Sequence, residues 1–215
     1  NLITTLVLIV VGTAAFFIME YSNSLAAHNG SGKIITALFS ATTPRSAGLN
    51  TIDFSSLHIS TIILIILLMW IGASPASTGG GIKTSTFAIA TLNFISLAKG
   101  KSKIELFRRE VADISVRRAF ATMTLSFVAI GTGICFLAHF EKDASLLEIA
   151  FECVSAYCTV GLTLGITPEL SDPGKIVLIA LMFTGRVTML SILIAFFKKV
   201  RPMSYQYPTD EIMIN

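Results

Sequence analysis

The stretch Ser155-Ala-Tyr-Cys-Thr-Val-Gly-Leu-Thr-Leu-Gly165 decides how this chain folds. It is polar and glycine-bearing, yet it lies between a short amphipathic run at 146–153 and a long apolar run at 176–197. Non-helical backbone is therefore expected beside or within a membrane. Hydrocarbon cannot satisfy bare amides and carbonyls. Such backbone persists only where it is buried in protein or faces a water-filled path, and there its carbonyls can coordinate ions.

Composition agrees: 53% of the residues are apolar and 13% charged, a balance that excludes an ordinary soluble domain and fits a polytopic membrane protein. Runs 2–19 and 119–140 are long enough, at about 1.5 Å per residue, to cross about 30 Å of hydrocarbon. Run 176–197 is a third, interrupted by Arg186. Cys135, Cys153 and Cys158 lack metal or redox spacing and read as packing residues. Lys99, Lys101, Lys103, Arg108, Arg109, Arg117 and Arg118 form one basic cluster, and Lys198, Lys199 and Arg201 another. The positive-inside rule makes both cytoplasmic, in a plasma-membrane protein. The opposite loops carry Glu20, Asp53, Glu141, Asp143, Glu148, Glu169 and Asp172, an acidic outer mouth that would concentrate cations. The membrane flanks exclude nucleic acid as the partner of the basic run. Asn1 is not an initiator and no charged segment precedes the first apolar run, so that run is not a signal peptide and the chain is expected to begin within a longer protein.

In chain order, 2–20 is expected to cross outward. Segment 31–43 is too short to cross, but Ile34, Ile35, Leu38 and Phe39 fall at helical spacing, so it reads as a re-entrant half-helix ended by Pro44. Thr42-Thr-Pro-Arg-Ser-Ala-Gly-Leu-Asn-Thr51 then climbs back out, giving a pore helix and loop over 31–51. Residues 59–98 form one crossing broken by Gly72-Ala-Ser-Pro-Ala-Ser-Thr-Gly-Gly-Gly-Ile-Lys83, a pattern found where unwound backbone lines a permeation path. Residues 99–118 read as an amphipathic helical linker with Ile104, Phe107, Val111 and Ile114 on one face.

The pattern then recurs: a crossing at 119–140, a short helix and loop over 145–165, and a return at 176–197 within a unit spanning 119–199. Placing Gly48 on Gly161 sets an offset of 113 residues, which lays Ser46-Ala-Gly-Leu49 on Thr159-Val-Gly-Leu162 and Thr42 on Ser155. The fold class expected is all-α membrane, two parallel helix, pore-loop, helix repeats, potassium-channel-like, with a broken inner helix in the first. Each loop offers one glycine able to turn its carbonyls to an axis, behind a half-helix whose negative end favours a cation. Thr159-Val160-Gly161 also matches the start of the potassium-channel filter. An ordinary turn glycine is the plainer reading of either position taken singly.

Segments 42–51 and 72–83 and the run Thr159-Val-Gly-Leu-Thr-Leu-Gly-Ile-Thr-Pro168 resemble the third and fourth repeats of the Trk/Ktr/HKT potassium-transporter superfamily, most of all its KtrB branch, which includes the form named subunit J of a sodium-translocating ATPase operon. The resemblance implies a pore of four repeats, each donating a single-glycine filter. Ser46, Ala47, Gly48 and Leu49 with Thr159, Val160, Gly161 and Leu162 would supply two of the four, joined by the hydroxyls of Thr42 and Ser155, with the other two from an N-terminal half. It implies that 72–83 is an intramembrane gate, with Gly79, Gly80 and Gly81 free to swing. Arg186 would lie by that loop, donate to its carbonyls and add a positive barrier; a salt bridge to Glu152 is the alternative. Lys83 belongs to the gate or snorkels to the interface. Implied too are a homodimer and a cytosolic KtrA-like nucleotide-binding ring contacting the 99–118 linker and the 200–215 tail; the basic run could equally bind lipid headgroups.

The function expected is potassium conduction through backbone carbonyls, with K+ as the transported ion, Na+ as a coupling or activating ion, no cofactor and no enzymatic chemistry. A secondary transporter with re-entrant loops for a non-potassium solute is the alternative. A purely scaffolding subunit would gain nothing from a broken helix.

Overall fold

The structure is a computed structural model describing residues 2–187 except Ala76, Thr78, Ser102, Lys103, Phe107 and Arg108. The expectations placed on the later half of the last crossing and on the 200–215 tail fall outside the described residues. Apart from a hairpin of two-residue strands, the fold is helical: α1 Leu2–Glu20, α2 Gly30–Thr42, α3 Ile59–Trp70, α4 Thr84–Ala98, β1 Glu105–Leu106, β2 Arg109–Glu110, α5 Asp113–Phe140, α6 Leu146–Tyr157 and α7 Asp172–Val187. Helices α1 and α5 are long and apolar enough to cross a membrane.

Local chemistry explains the ends. At α6, Ser145 accepts from the Glu148 amide while the Glu148 side chain reaches back to Ser145, a capping box that satisfies two otherwise orphaned donors. Helix α2 stops at Thr42, two residues before Pro44, although Thr43 itself keeps right-handed helical angles. Between α3 and α4 the described residues from Ile71 to Lys83 are non-helical, and Ile71 and Ile82 form an isolated parallel bridge that brings the two ends of the break together.

The linker is a correction. Gly100, at φ +68°, ends α4, with its amide bonded to the Leu97 carbonyl and the Lys101 amide to that of Ser96. The chain then turns through the β1–β2 hairpin, extended by a bond from the Val111 amide to the Ile104 carbonyl, and α5 begins at Asp113, six residues earlier than expected. Of the face read as amphipathic, Ile104 is buried but Ile114 is 56% exposed. A strand pair satisfies the same amides within the segment, so helical spacing of apolar residues does not compel a helix there.

In lipid there is little hydrophobic drive between helices, so close packing at small residues carries the association. Gly12 of α1 lies under Leu68 of α3, where a Cβ would meet the Leu68 Cδ1 at 3.2 Å; Gly133 of α5 lies under Leu181 of α7, where the distance would be 2.5 Å. Helices α1, α2 and α3 group together, as do α5, α6 and α7, and α3 with α6 and α4 with α5 join the groups. Helix α6 has eight of its twelve residues buried, against three of the thirteen in α2, so α2 is clothed on one side only.

Two carboxylates complete the frame. Glu20, the last residue of α1, is fully buried and accepts from the Thr61 hydroxyl at 2.6 Å, the His58 amide at 3.0 Å and the Asn23 side chain at 2.8 Å, so it caps the start of α3. Glu141, just past α5, accepts from the Ser171 amide at 2.8 Å at the start of α7. Glu20 is therefore not part of an exposed acidic mouth: its charge is consumed by helix-terminal donors. Of the cysteines, Cys153 and Cys158 are buried but Cys135 is exposed.

Candidate functional site

The loops after α2 and α6 meet. Ser46 and Thr159 have φ of +65° and +54°, and Gly48 and Gly161 have +65° and +87°. Left-handed geometry at a non-glycine residue costs about 1 kcal/mol. It recurs here at two positions 113 residues apart, and the glycines share the same offset. A Cβ added at Gly48 would run into the Val160 carbonyl oxygen and stand 3.6 Å from the Gly161 carbonyl carbon. The two glycine turns are thus in contact.

Each loop is held by a hydroxyl from the end of its helix. Ser155 Oγ donates to the Leu162 carbonyl at 2.6 Å, and Thr43 Oγ1 donates to the Leu49 carbonyl. Under the offset, Leu49 corresponds to Leu162, but the residue doing the work of Ser155 is Thr43 and not Thr42. The Thr42 hydroxyl turns back to the Leu38 carbonyl of its own helix. Where Ser155 remains inside α6, Thr43 lies just beyond α2, and that earlier stop moves the hydroxyl by one residue.

Against these loops sits the 71–83 break. The Gly80 amide donates to Thr159 Oγ1 at 2.7 Å. Each of the three glycines approaches a loop residue: a Cβ at Gly79 would lie 2.5 Å from Ser46 Oγ, at Gly80 2.8 Å from Thr159 Oγ1, and at Gly81 3.0 Å from Cys158 Sγ. Their smallness is used for close approach. Lys83 does not reach away from the break; its Nζ donates to the Gly79 carbonyl and, at 3.4 Å, to that of Ser77. Arg186 lies in the last described turn of α7, exposed within this chain. Its neighbour Gly185 packs so tightly on the Tyr157 carbonyl that no side chain fits.

Glu152, 5% exposed, accepts through Oε1 from the hydroxyls of Thr163 and Thr167, the latter at 2.8 Å. Sequence reasoning placed it only as an ion-pair candidate; a carboxylate three residues before Ser155, hence on the same helix face, was the available signal. Thr43 and Trp70 were also missed. Trp70 ends α3 next to the break, and its indole N–H donates to Ser126 of α5 at 3.1 Å. Among the described residues, no group of three His, Cys, Asp or Glu side chains could hold a metal ion.

The family model described as TrkH, cation transport protein, matches residues 1–207. The chain is 38% identical over 210 residues to the Ktr system potassium uptake protein B of Bacillus subtilis, covering 97% of this chain and 47% of that protein. It is 34% identical over 215 residues to the potassium/sodium uptake protein NtpJ of Enterococcus hirae, covering 96% and 48%. The chain spans about half the length of the curated relatives it matches. The crystal structure of the potassium transporter TrkH from Vibrio parahaemolyticus superposes with a TM-score of 0.76 over 90% of this chain and 43% of that one, at 18% identity, a likeness of fold.

Proposed function

This chain belongs to the TrkH family of cation transport proteins, and on that premise we propose that it forms half of a membrane conduit for potassium. Two parallel helix, pore-loop, helix units supply two of four single-glycine filter segments, Ser46–Leu49 and Thr159–Leu162, whose backbone carbonyls replace part of the water around a K+ ion. No cofactor is needed for passage down a gradient. The observation carrying this reading is the contact of Gly48 with the Gly161 loop, both glycines at positive φ and each following a short helix, whose C-terminal end is its negative end.

The duplicated plan has further support in matched contacts. Gly12 on Leu68 corresponds to Gly133 on Leu181, and Glu20 at the His58 amide corresponds to Glu141 at the Ser171 amide. In both pairs the first partner shifts by 121 residues and the second by 113. Helix α6 is flanked by α3 of the other unit. Helix α2, with Ile34 58% and Ile35 67% exposed, leaves apolar surface that fits a helix from a preceding pair of repeats.

In this reading 72–83 gates the pore beneath the filter, with Gly79, Gly80, Gly81, Lys83 and Arg186 as its parts. The 99–118 linker and the 200–215 tail are the proposed contacts for a cytosolic KtrA-like nucleotide-binding ring, in a homodimer at the plasma membrane; Na+ acts as a coupling or activating ion. Rubidium uptake into vesicles bearing the full-length protein tests the conduit. Gly161→Asp should abolish uptake and deletion of 79–81 should raise it; unchanged flux in the first overturns the filter, and in the second the gate.

A further inference from the structure

We infer that Glu152 is a positioning residue for the second filter segment: one of its carboxyl oxygens gathers the hydroxyls of Thr163 and Thr167 and so sets where the Thr159–Leu162 carbonyls stand. The inference rests on the potassium reading for its consequence in ion choice, though not for its geometry.

The segment leaving Gly161 has no regular structure of its own until the turn at Thr167–Glu169. Its shape must come from what it is tied to. Ser155 holds the Leu162 carbonyl, and Glu152, one helical turn earlier on the same face of α6, holds the next two polar side chains. Thr163 Oγ1 in turn accepts the Gly165 amide at 2.9 Å, where the chain reverses with φ +111°. Leu162 and Leu164 are buried between these ties. The outer limb of the loop is thus strung along one side of a helix with eight of its twelve residues buried, a supporting shell that touches no ion and orients the groups that do.

The first loop lacks this device. The residue at the offset of 113 from Glu152 is Phe39, 37% exposed, and Leu49 is followed by exposed Asn50 and Thr51. The two filter segments are clamped unequally, and the second is the better held. What Glu152 supplies is one oxygen with its two lone pairs, Oε1, within reach of both hydroxyls; Thr167 Oγ1 also lies 2.8 Å from Thr163 Oγ1, so its single proton is shared between the two acceptors. A glutamine amide oxygen offers the same two lone pairs at the same reach. An alanine offers none.

The test uses the full-length protein in proteoliposomes, with rubidium and sodium uptake measured for wild type, Glu152→Gln, Glu152→Ala and the double variant Thr163→Val, Thr167→Val. Glutamine should keep the wild-type rubidium-to-sodium ratio, whereas alanine and the double valine should lower it about tenfold, the scale at which outer supports affect ion sites. Should Glu152→Ala fail to reach the membrane, the valines, which keep shape and remove only the hydroxyls, carry the test. Wild-type discrimination in the double variant overturns the inference, and so does a glutamine variant as impaired as alanine, which would make charge the active property. Amide exchange separates this from the potassium reading: Val160 and Gly165 should exchange faster in the double variant than in wild type, whether or not rubidium is carried. Absence of rubidium uptake by wild type sinks the conduit alone, and unchanged exchange sinks the positioning role alone.

Discussion

The hydroxyl of Thr159 accepts the amide N–H of Gly80 at 2.7 Å, a bond between the glycine turn after α6 and the break between α3 and α4. It joins two segments 79 residues apart, both non-helical. In the functional reading it is a latch between filter and gate. Ser46, at the matching place in the other loop, touches Gly79 beside it.

Replacing Thr159 by valine keeps the branched shape and removes the acceptor. A hydrogen bond of this kind contributes about 1 kcal/mol, which shifts a two-state loop about fivefold toward release. Thr159→Val should therefore raise rubidium flux severalfold in vesicles. Flux at or below wild type would show that the bond does not hold the loop shut.

Gly48 and Gly161 have different reasons to be glycine. At Gly48 an added methyl meets the Val160 carbonyl oxygen as well as a left-handed backbone; at Gly161 there is open space, and only φ +87° opposes it. Gly161→Ala should cost about 1–2 kcal/mol and leave an assembled protein. Gly48→Ala should cost more and abolish uptake. Thermal stability in detergent and rubidium flux should rank them in that order.

A similar contrast separates Gly185 from Gly133. The methyl of Gly133→Ala meets the end of the Leu181 side chain, which can rotate, so a loss of about 1–3 kcal/mol is expected. The methyl of Gly185→Ala meets the backbone of Tyr157, which cannot move without shifting the Thr159–Leu162 loop that follows it. Gly185→Ala should lose transport where Gly133→Ala keeps it, as measured by uptake at matched membrane expression.

Glu20 accepts from four donors and is fully buried, while Glu141 is partly exposed. Glutamine at either place turns an N–H2 group toward donors. Hydrogen bonds to a charged acceptor contribute about 1.5–3 kcal/mol, so Glu20→Gln should lower the unfolding temperature clearly and Glu141→Gln less. Equal midpoints for the two variants would contradict the capping role of Glu20.

Much of the frame is written locally. The two short helices, the break at 71–83 and the register of Gly48 on Gly161 follow from helix length, Pro44 and the glycines, which act within a few residues of where they stand. Contacts made at a distance left weaker traces. Nothing local distinguishes Glu20, turned in on the start of α3, from an exposed acidic residue at a helix end. Thr42 and Thr43 are equivalent as text, and only the exact stop of α2 selects the second. The 99–118 linker carries helical spacing, yet Glu105–Leu106 and Arg109–Glu110 pair as strands and only the part from Asp113 onward is helical, because Gly100 closes α4 and a hairpin meets the same backbone needs.

By itself the sequence determined that this is a membrane chain and where its helices break, since bilayer thickness and backbone hydrogen bonding leave few other solutions. The tertiary structure decided that the two glycine turns touch, that Gly79, Gly80 and Gly81 press against them, and that Glu152 braces the second loop. Those are relations between segments far apart in the chain. They arise from which small residue lies opposite which carbonyl once the helices have packed.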